Sequence, residues 1–290
     1  MAGATVGPHV SECGPTFVQD RSGSRLVILI HGYNNPQQTA AGSFGAFETQ
    51  LWQLLPESLS GLTVWEYHWP GDHKSKLLSL ATYPVKVPIA QLAGVRLAHG
   101  WLARRQPDQR VIIVAHSLGC RVALEAMRWI RTDEDYGAQE EPPRSYRGAT
   151  VEAVFLMAAA VPVHLCERDS DYLDAPWREC AEHVLHSTKD GVLRKYFNVG
   201  EWVAGERGPA VGLHGAPLGR WSSQLRSTKL DHSDYWDSEK VATKICELAG
   251  LLKELHVDSQ SPAQSEPDER TLARQDLRET HLANRARGGA

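Results

Sequence analysis

Leu26-Val27-Ile28-Leu29-Ile30 is an unbroken apolar run set between Ser22-Gly23-Ser24 and His31-Gly32. Such a run predicts a strand covered on both faces, as in a parallel sheet. Phe44, Phe47, Leu51, Leu54 and Leu55 then recur at helical spacing and stop at Pro56. Leu62–Trp69 reads as a second strand, halted by Pro70-Gly71, and Ile89, Leu92, Val95 and Leu102 mark a helix that closes before Pro107. Val111-Ile112-Ile113-Val114 is the third strand, followed at once by a helix with Val122, Ala126, Met127 and Ile130 on one face. After an acidic, Pro-bearing surface loop (Thr132–Gly148) come strands at Val151–Ala158, His183–His186 and Gln224–Leu230. Val241, Ile245, Leu248, Leu252 and Leu255 make a closing amphipathic helix. Strands alternating with helices predict an α/β fold: a mostly parallel sheet with helices on both faces.

The pattern sets expected boundaries at an N-terminal extension (1–24), a folded domain (25–257) and a disordered polar tail (258–290). The tail has no aromatic residue and no sustained apolar periodicity. The chain as a whole is 42% hydrophobic and 23% charged, which excludes a wholly disordered protein. Its formal charge of −4 provides no global positive field, so nucleic acid is not an expected partner. The five cysteines lack a CxxC pair and read as reduced thiols. Met1–Ser24 has no basic segment followed by an apolar run, and no apolar stretch is long enough to span a bilayer. These features set the expectation of a cytoplasmic protein without an integral membrane segment.

The chemistry centres on Ala115-His116-Ser117-Leu118-Gly119, between the third strand and its helix. That is the strand–turn–helix setting of a G-x-S-x-G nucleophile, with Ala115 in place of the first glycine. The turn would hold the Ser117 hydroxyl at the sheet's carboxyl edge, by the positive end of the helix. A helix-capping serine is the plainer alternative. His31-Gly32-Tyr33-Asn34-Asn35 follows the first strand, where backbone N–H groups of Gly32 and Tyr33 could join Leu118 N–H in an oxyanion hole. His116 is expected to pack or hydrogen-bond near the elbow. His68 and His73 lack the companions of a metal site, and no phosphate-binding or dinucleotide-binding glycine motif is present. Neither a metal nor a cofactor is implied.

With His31–Asn35, Trp69-Pro70-Gly71 and Ala115–Gly119 in view, residues 25–256 resemble the α/β-hydrolase superfamily. Within it the chain is similar to a largely uncharacterised bacterial esterase/lipase-like group with an HGYNN turn, a WP element and an AHS[ML]G elbow. The resemblance implies a triad in the chain order serine, acid, histidine. Asp190, after the His183–His186 strand, fits the acid. After Val151–Ala158 the first carboxylates come only at Glu167 and Asp169. His214, His232, His256 and His281 follow Asp190. The superfamily places its base between last strand and last helix, which favours His232 and leaves His214 as the alternative.

The implied activity is cleavage of a small-molecule carboxylic ester through an acyl-enzyme. Two readings stay open beside it: acyl transfer to an alcohol or amine, and a non-catalytic binding or scaffold protein of the same fold. Specificity would reside in Gly71–Pro88, Val163–Trp177 and Asn198–Trp221, where Trp177, Trp202 and Trp221 could line a pocket. Because the tail lacks core periodicity, truncation after Val257 is expected to leave the melting temperature and esterase activity unchanged. A thermal melt of the shortened chain checks this.

Overall fold

The computed structural model describes residues 25–35, 37–55, 62–71, 79–132, 146–167, 180–205, 207–217 and 221–252. The expected N-terminal extension, the polar tail and residues 133–145 of the acidic loop lie outside these. Six strands form one sheet: β1 (Arg25–Ile30), β2 (Leu62–Tyr67), β3 (Arg110–His116), β4 (Thr150–Met157), β5 (Ala181–Ser187) and β6 (Ser223–Ser227). Their order is β2-β1-β3-β4-β5-β6, and every neighbouring pair is parallel. The helices are α1 (Gln37–Leu54), α2 (Ser79–Val95), α3 (Gly119–Thr132), α4 (Asn198–Ala204), α5 (Val211–His214) and α6 (Glu239–Leu248). All belong to one compact unit that ends at Ala249.

The strand order reverses direction at β1. Parallel crossovers are right-handed, so the β1–α1–β2 connection covers one face while β2–α2–β3 and β3–α3–β4 cover the other. The packing agrees: α1 contacts α6, and α2 contacts α3. A sheet covered on both faces explains the solid apolar runs, since Leu26–Ile30 and Val111–Ala115 are all at most 2% exposed. Burying each of these Leu, Ile and Val side chains contributes about 1.5–3 kcal/mol. Strand β6 lies at the edge and is half-buried along most of its length, which is why its sequence signal is weak.

Three elements depart from expectation. Helix α2 begins at Ser79, ten residues before Ile89, and carries Pro84 and Pro88 inside it. Each proline removes a helical donor, so the sequence there reads as loop. Packing on α3 compensates: a methyl group on Gly94 would lie 2.6 Å from both Glu125 Cβ and Val122 O. The closing helix ends at Leu248 rather than Leu255, because Gly250 adopts φ +72°, a left-handed conformation that terminates helices. Strand β2 stops at Tyr67, leaving His68 and Trp69 to the following loop. Among the described residues no helix is long and apolar enough to cross a membrane.

Two glycines should behave in opposite ways. Gly42 lies on the exposed side of α1 with open space where a Cβ would go, whereas a Cβ on Gly119 would fall 2.3 Å from the His31 carbonyl oxygen. Gly42→Ala is expected to stabilise by about 0.5–1 kcal/mol. Gly119→Ala is expected to destabilise by about 1–3 kcal/mol or more. Urea unfolding of the two variants checks the contrast.

Candidate active site

Ser117 follows β3 directly, with φ +54°. A residue bearing a Cβ pays strain in this left-handed region, so neighbouring bonds must hold it there. Ser117 N–H donates to Met157 O (2.9 Å), while Ser117 O accepts from Ala160 N–H and Cys120 N–H (3.1 Å each). The other described non-glycine residues with positive φ are Asn34 (+57°) and Ala158 (+46°). All three lie just beyond the carboxyl ends of the adjacent central strands β1, β3 and β4, at the point where the strand order reverses. Open α/β sheets form their crevice there.

The bend brings the Ser117 hydroxyl to His232. Ser117 Oγ lies 2.9 Å from His232 Nε2, and His232 Nδ1 lies 2.8 Å from Asp190 Oδ2. The carboxylate accepts, so Nδ1 carries the ring proton and Nε2 presents its lone pair to the hydroxyl. The Asp190 side chain is fully buried and that of His232 is 16% exposed. Asp190 combines two roles, since its Oδ1 also caps the following turn by accepting Leu193 N–H at 2.8 Å.

His232 is held from both sides of its peptide. Asp231 Oδ1 accepts His232 N–H (2.8 Å) and Gly191 N–H (2.9 Å), tying the histidine loop to the turn after Asp190. Those two backbone donors hold the Asp231 carboxyl below its ordinary pKa. His116 Nε2–H donates to His232 O at 2.6 Å. Burial, with the His232 ring beside it, lowers the His116 pKa to about 3. The ring is therefore neutral, protonated on Nε2, and its buried Nδ1 has no hydrogen-bond partner among the described residues.

The His31–Asn35 turn is bolted to the Trp69-Pro70-Gly71 element. Trp69 Nε1–H donates to His31 O (2.7 Å), Trp69 N–H donates to His31 Nε2 (3.2 Å), and Asn34 N–H donates to Gly71 O (2.8 Å). The His31 and Trp69 rings stack at 5.6 Å. This gives the two motifs a physical reason to occur together. Gly32 presses on the elbow: a Cβ there would lie 2.7 Å from Ser117 Cβ and 3.1 Å from His116 Nδ1. The Tyr33 ring meets Tyr83 edge-on at 5.6 Å. Among the described residues, Leu118 N–H makes no hydrogen bond to another backbone group.

The structure thus brings Ser117, Asp190 and His232 into one hydrogen-bonded chain, with Gly32 and Leu118 adjoining. It does not bring His214 there, since that residue closes α5 near His186. Glu167 is exposed, and Asp169 and Trp177 lie outside the described residues. The sequence reading missed Asp231 as a clamp. Its position next to His232 was the one available signal, but many loop histidines have acidic neighbours.

Neutral His116 has a pH consequence. Unfolded, its imidazole takes a proton near pH 6.5, whereas folded it resists down to about 3. The unfolded state binds more protons in that window, so stability falls as pH drops from about 6.5 to 3. His116→Phe is expected to make this slope shallower by up to about 1.4 kcal/mol per pH unit. Denaturant melts at several pH values measure it.

Comparison with known proteins gives a family. The chain is similar in structure to acyl-protein thioesterase 2 from Zea mays, with 12% identity over 81% of this chain and 96% of that one and a TM-score of 0.43. It is also similar to esterase B from Lactobacillus rhamnosis, with 12% identity over 86% of this chain and 81% of that one and a TM-score of 0.41. No curated protein matches it. The matching family model spans residues 15–196, more than half of the chain, and so includes Ser117 and Asp190 but ends before His232. By that match the chain belongs to the family described as alpha/beta hydrolase of unknown function (DUF900).

Proposed function

We propose that this protein is a serine hydrolase that cleaves a small-molecule carboxylic ester through an acyl-enzyme. The observation that carries the reading is the chain Ser117 Oγ–His232 Nε2 (2.9 Å) and His232 Nδ1–Asp190 Oδ2 (2.8 Å), ending in a fully buried carboxylate. Ser117 Oγ attacks the ester carbonyl as His232 Nε2 takes the hydroxyl proton, and Asp190 keeps the imidazole in the tautomer that can accept it. The carbonyl's electron pair moves onto oxygen, where N–H groups of Gly32, Tyr33 and Leu118 stabilise the charge. When the carbonyl re-forms, the C–O bond to the alcohol breaks and His232 returns its proton to the leaving oxygen. Water then enters, gives a proton to His232 and attacks the acyl-enzyme, releasing the acid and restoring Ser117.

The reading also draws support from the tight surroundings of the serine. Gly32 and Gly119 leave no room for side chains beside the elbow, so backbone donors can approach the carbonyl oxygen of a bound ester.

Ser117→Ala is expected to abolish labelling by a fluorophosphonate while leaving thermal unfolding nearly unchanged. Labelling that survives would mean another nucleophile. With a series of p-nitrophenyl esters, His232→Ala is expected to lower kcat/KM by about 10³-fold or more, and Asp190→Asn heavily as well. His214→Ala should stay close to wild type. The opposite ranking of the two histidines would move the base to His214.

A further inference from the structure

Behind the elbow lies a second buried polar chain that the proposed chemistry does not use. Arg121, two residues into α3, is 1% exposed, and Glu201 in α4 is fully buried. Arg121 NH2 donates to Glu201 Oε2 at 2.7 Å. The other carboxylate oxygen, Oε1, accepts the Tyr83 hydroxyl from α2 at 2.6 Å. Burial, and the Glu201 charge beside it, raise the Tyr83 pKa well above its ordinary value, so the phenol keeps its proton and donates.

A buried ion pair is costly to desolvate, and a well-packed apolar pair of similar volume would stabilise the fold at least as well. Stability alone therefore does not account for it. Its connections do. Arg121 Nε donates to Ala160 O at 3.4 Å, and Ala160 N–H in turn donates to Ser117 O. At the other end, the Tyr83 ring supports Tyr33 edge-on, next to Gly32. A Cβ on Gly200 would sit 2.7 Å from Tyr83 Cδ1, so the ring lies directly on the α4 backbone. One helical turn on from Tyr83, Lys86 Nζ donates to Pro70 O at 2.8 Å, within the element bolted to His31.

We propose that Arg121, Glu201 and Tyr83 are positioning residues. Through Ala160 on one side and Tyr33 on the other, they fix the spacing between the Ser117 elbow and the Gly32–Tyr33 turn, with α4 as the brace. None of the three touches the reacting atoms. Their effect is on where the oxyanion donors stand relative to the attacking oxygen, and errors of about 1 Å in such geometry cost up to about 100-fold in rate. The proposal rests on the serine-hydrolase reading above.

Two variants separate positioning from plain structure. Arg121→Met with Glu201→Leu replaces the ion pair by apolar side chains. It is expected to melt no lower than wild type yet react with a fluorophosphonate about 10- to 100-fold more slowly. Tyr83→Phe keeps the ring and the ion pair and loses only the hydroxyl. It is expected to fold with a lower melting temperature, because buried Glu201 Oε1 loses its donor, and, assayed well below that melt, to keep its KM for a p-nitrophenyl ester while kcat falls about tenfold. If the double variant does not fold, Tyr83→Phe decides. Folded variants that react at the wild-type rate overturn the proposal and leave the serine reading intact, and so does a loss of kcat/KM that lies in KM with kcat unchanged. A wild-type protein that the fluorophosphonate does not label overturns the serine reading, and this proposal with it.

Discussion

The close approach of three backbones at the carboxyl edge of β1, β3 and β4 is the constraint from which the rest of the site follows. Gly119 must pass the His31 carbonyl, and Gly32 must pass Ser117, at distances that exclude even a methyl group. Such contact leaves Ser117 in a left-handed conformation that a serine does not favour. Backbone bonds to Met157 and Ala160 hold it there. The strain therefore cannot relax locally, since any shift of Ser117 would break both bonds to the segment that leaves β4. The outcome is a hydroxyl held at the sheet edge beside the His31–Gly32 backbone.

Around that edge the polar groups are arranged in nested supports. His232 is aimed by Asp190 through its ring and by Asp231 and His116 through its peptide, so its orientation does not depend on one contact. The His31 turn is fastened to Trp69 by hydrogen bonds in both backbone and ring. The supports from Asp190, His116 and Trp69 are buried or half-buried, where a hydrogen bond left unmade costs about 1–3 kcal/mol, whereas the Asp231 bonds face solvent. That penalty makes the arrangement all-or-none rather than loosely populated. It also explains why His116 remains neutral: protonating it would place a charge among buried groups and beside a second imidazole.

The sequence alone determined the layer architecture, because Leu26–Ile30, Val111–Val114 and Ala153–Ala158 can satisfy their uniform apolarity only between two covering layers. It also determined the elbow, since a small-His-Ser-Leu-Gly stretch between a buried strand and a helix admits few backbone paths. The resemblance to the superfamily pointed to Asp190 as the proposed acid and favoured His232 over His214 as the proposed base. What the tertiary structure alone decided was which histidine meets the serine, since Ser117 and His232 are far apart in sequence and lie 2.9 Å apart only once Asp190, Asp231 and His116 hold the histidine loop. It alone revealed a proline-bearing α2, because packing through Gly94 overrides local propensity. And it alone disclosed the pairing of Arg121 with Glu201: a charged residue in a helix reads as solvated until its partner is seen, and that partner comes from another helix across the fold.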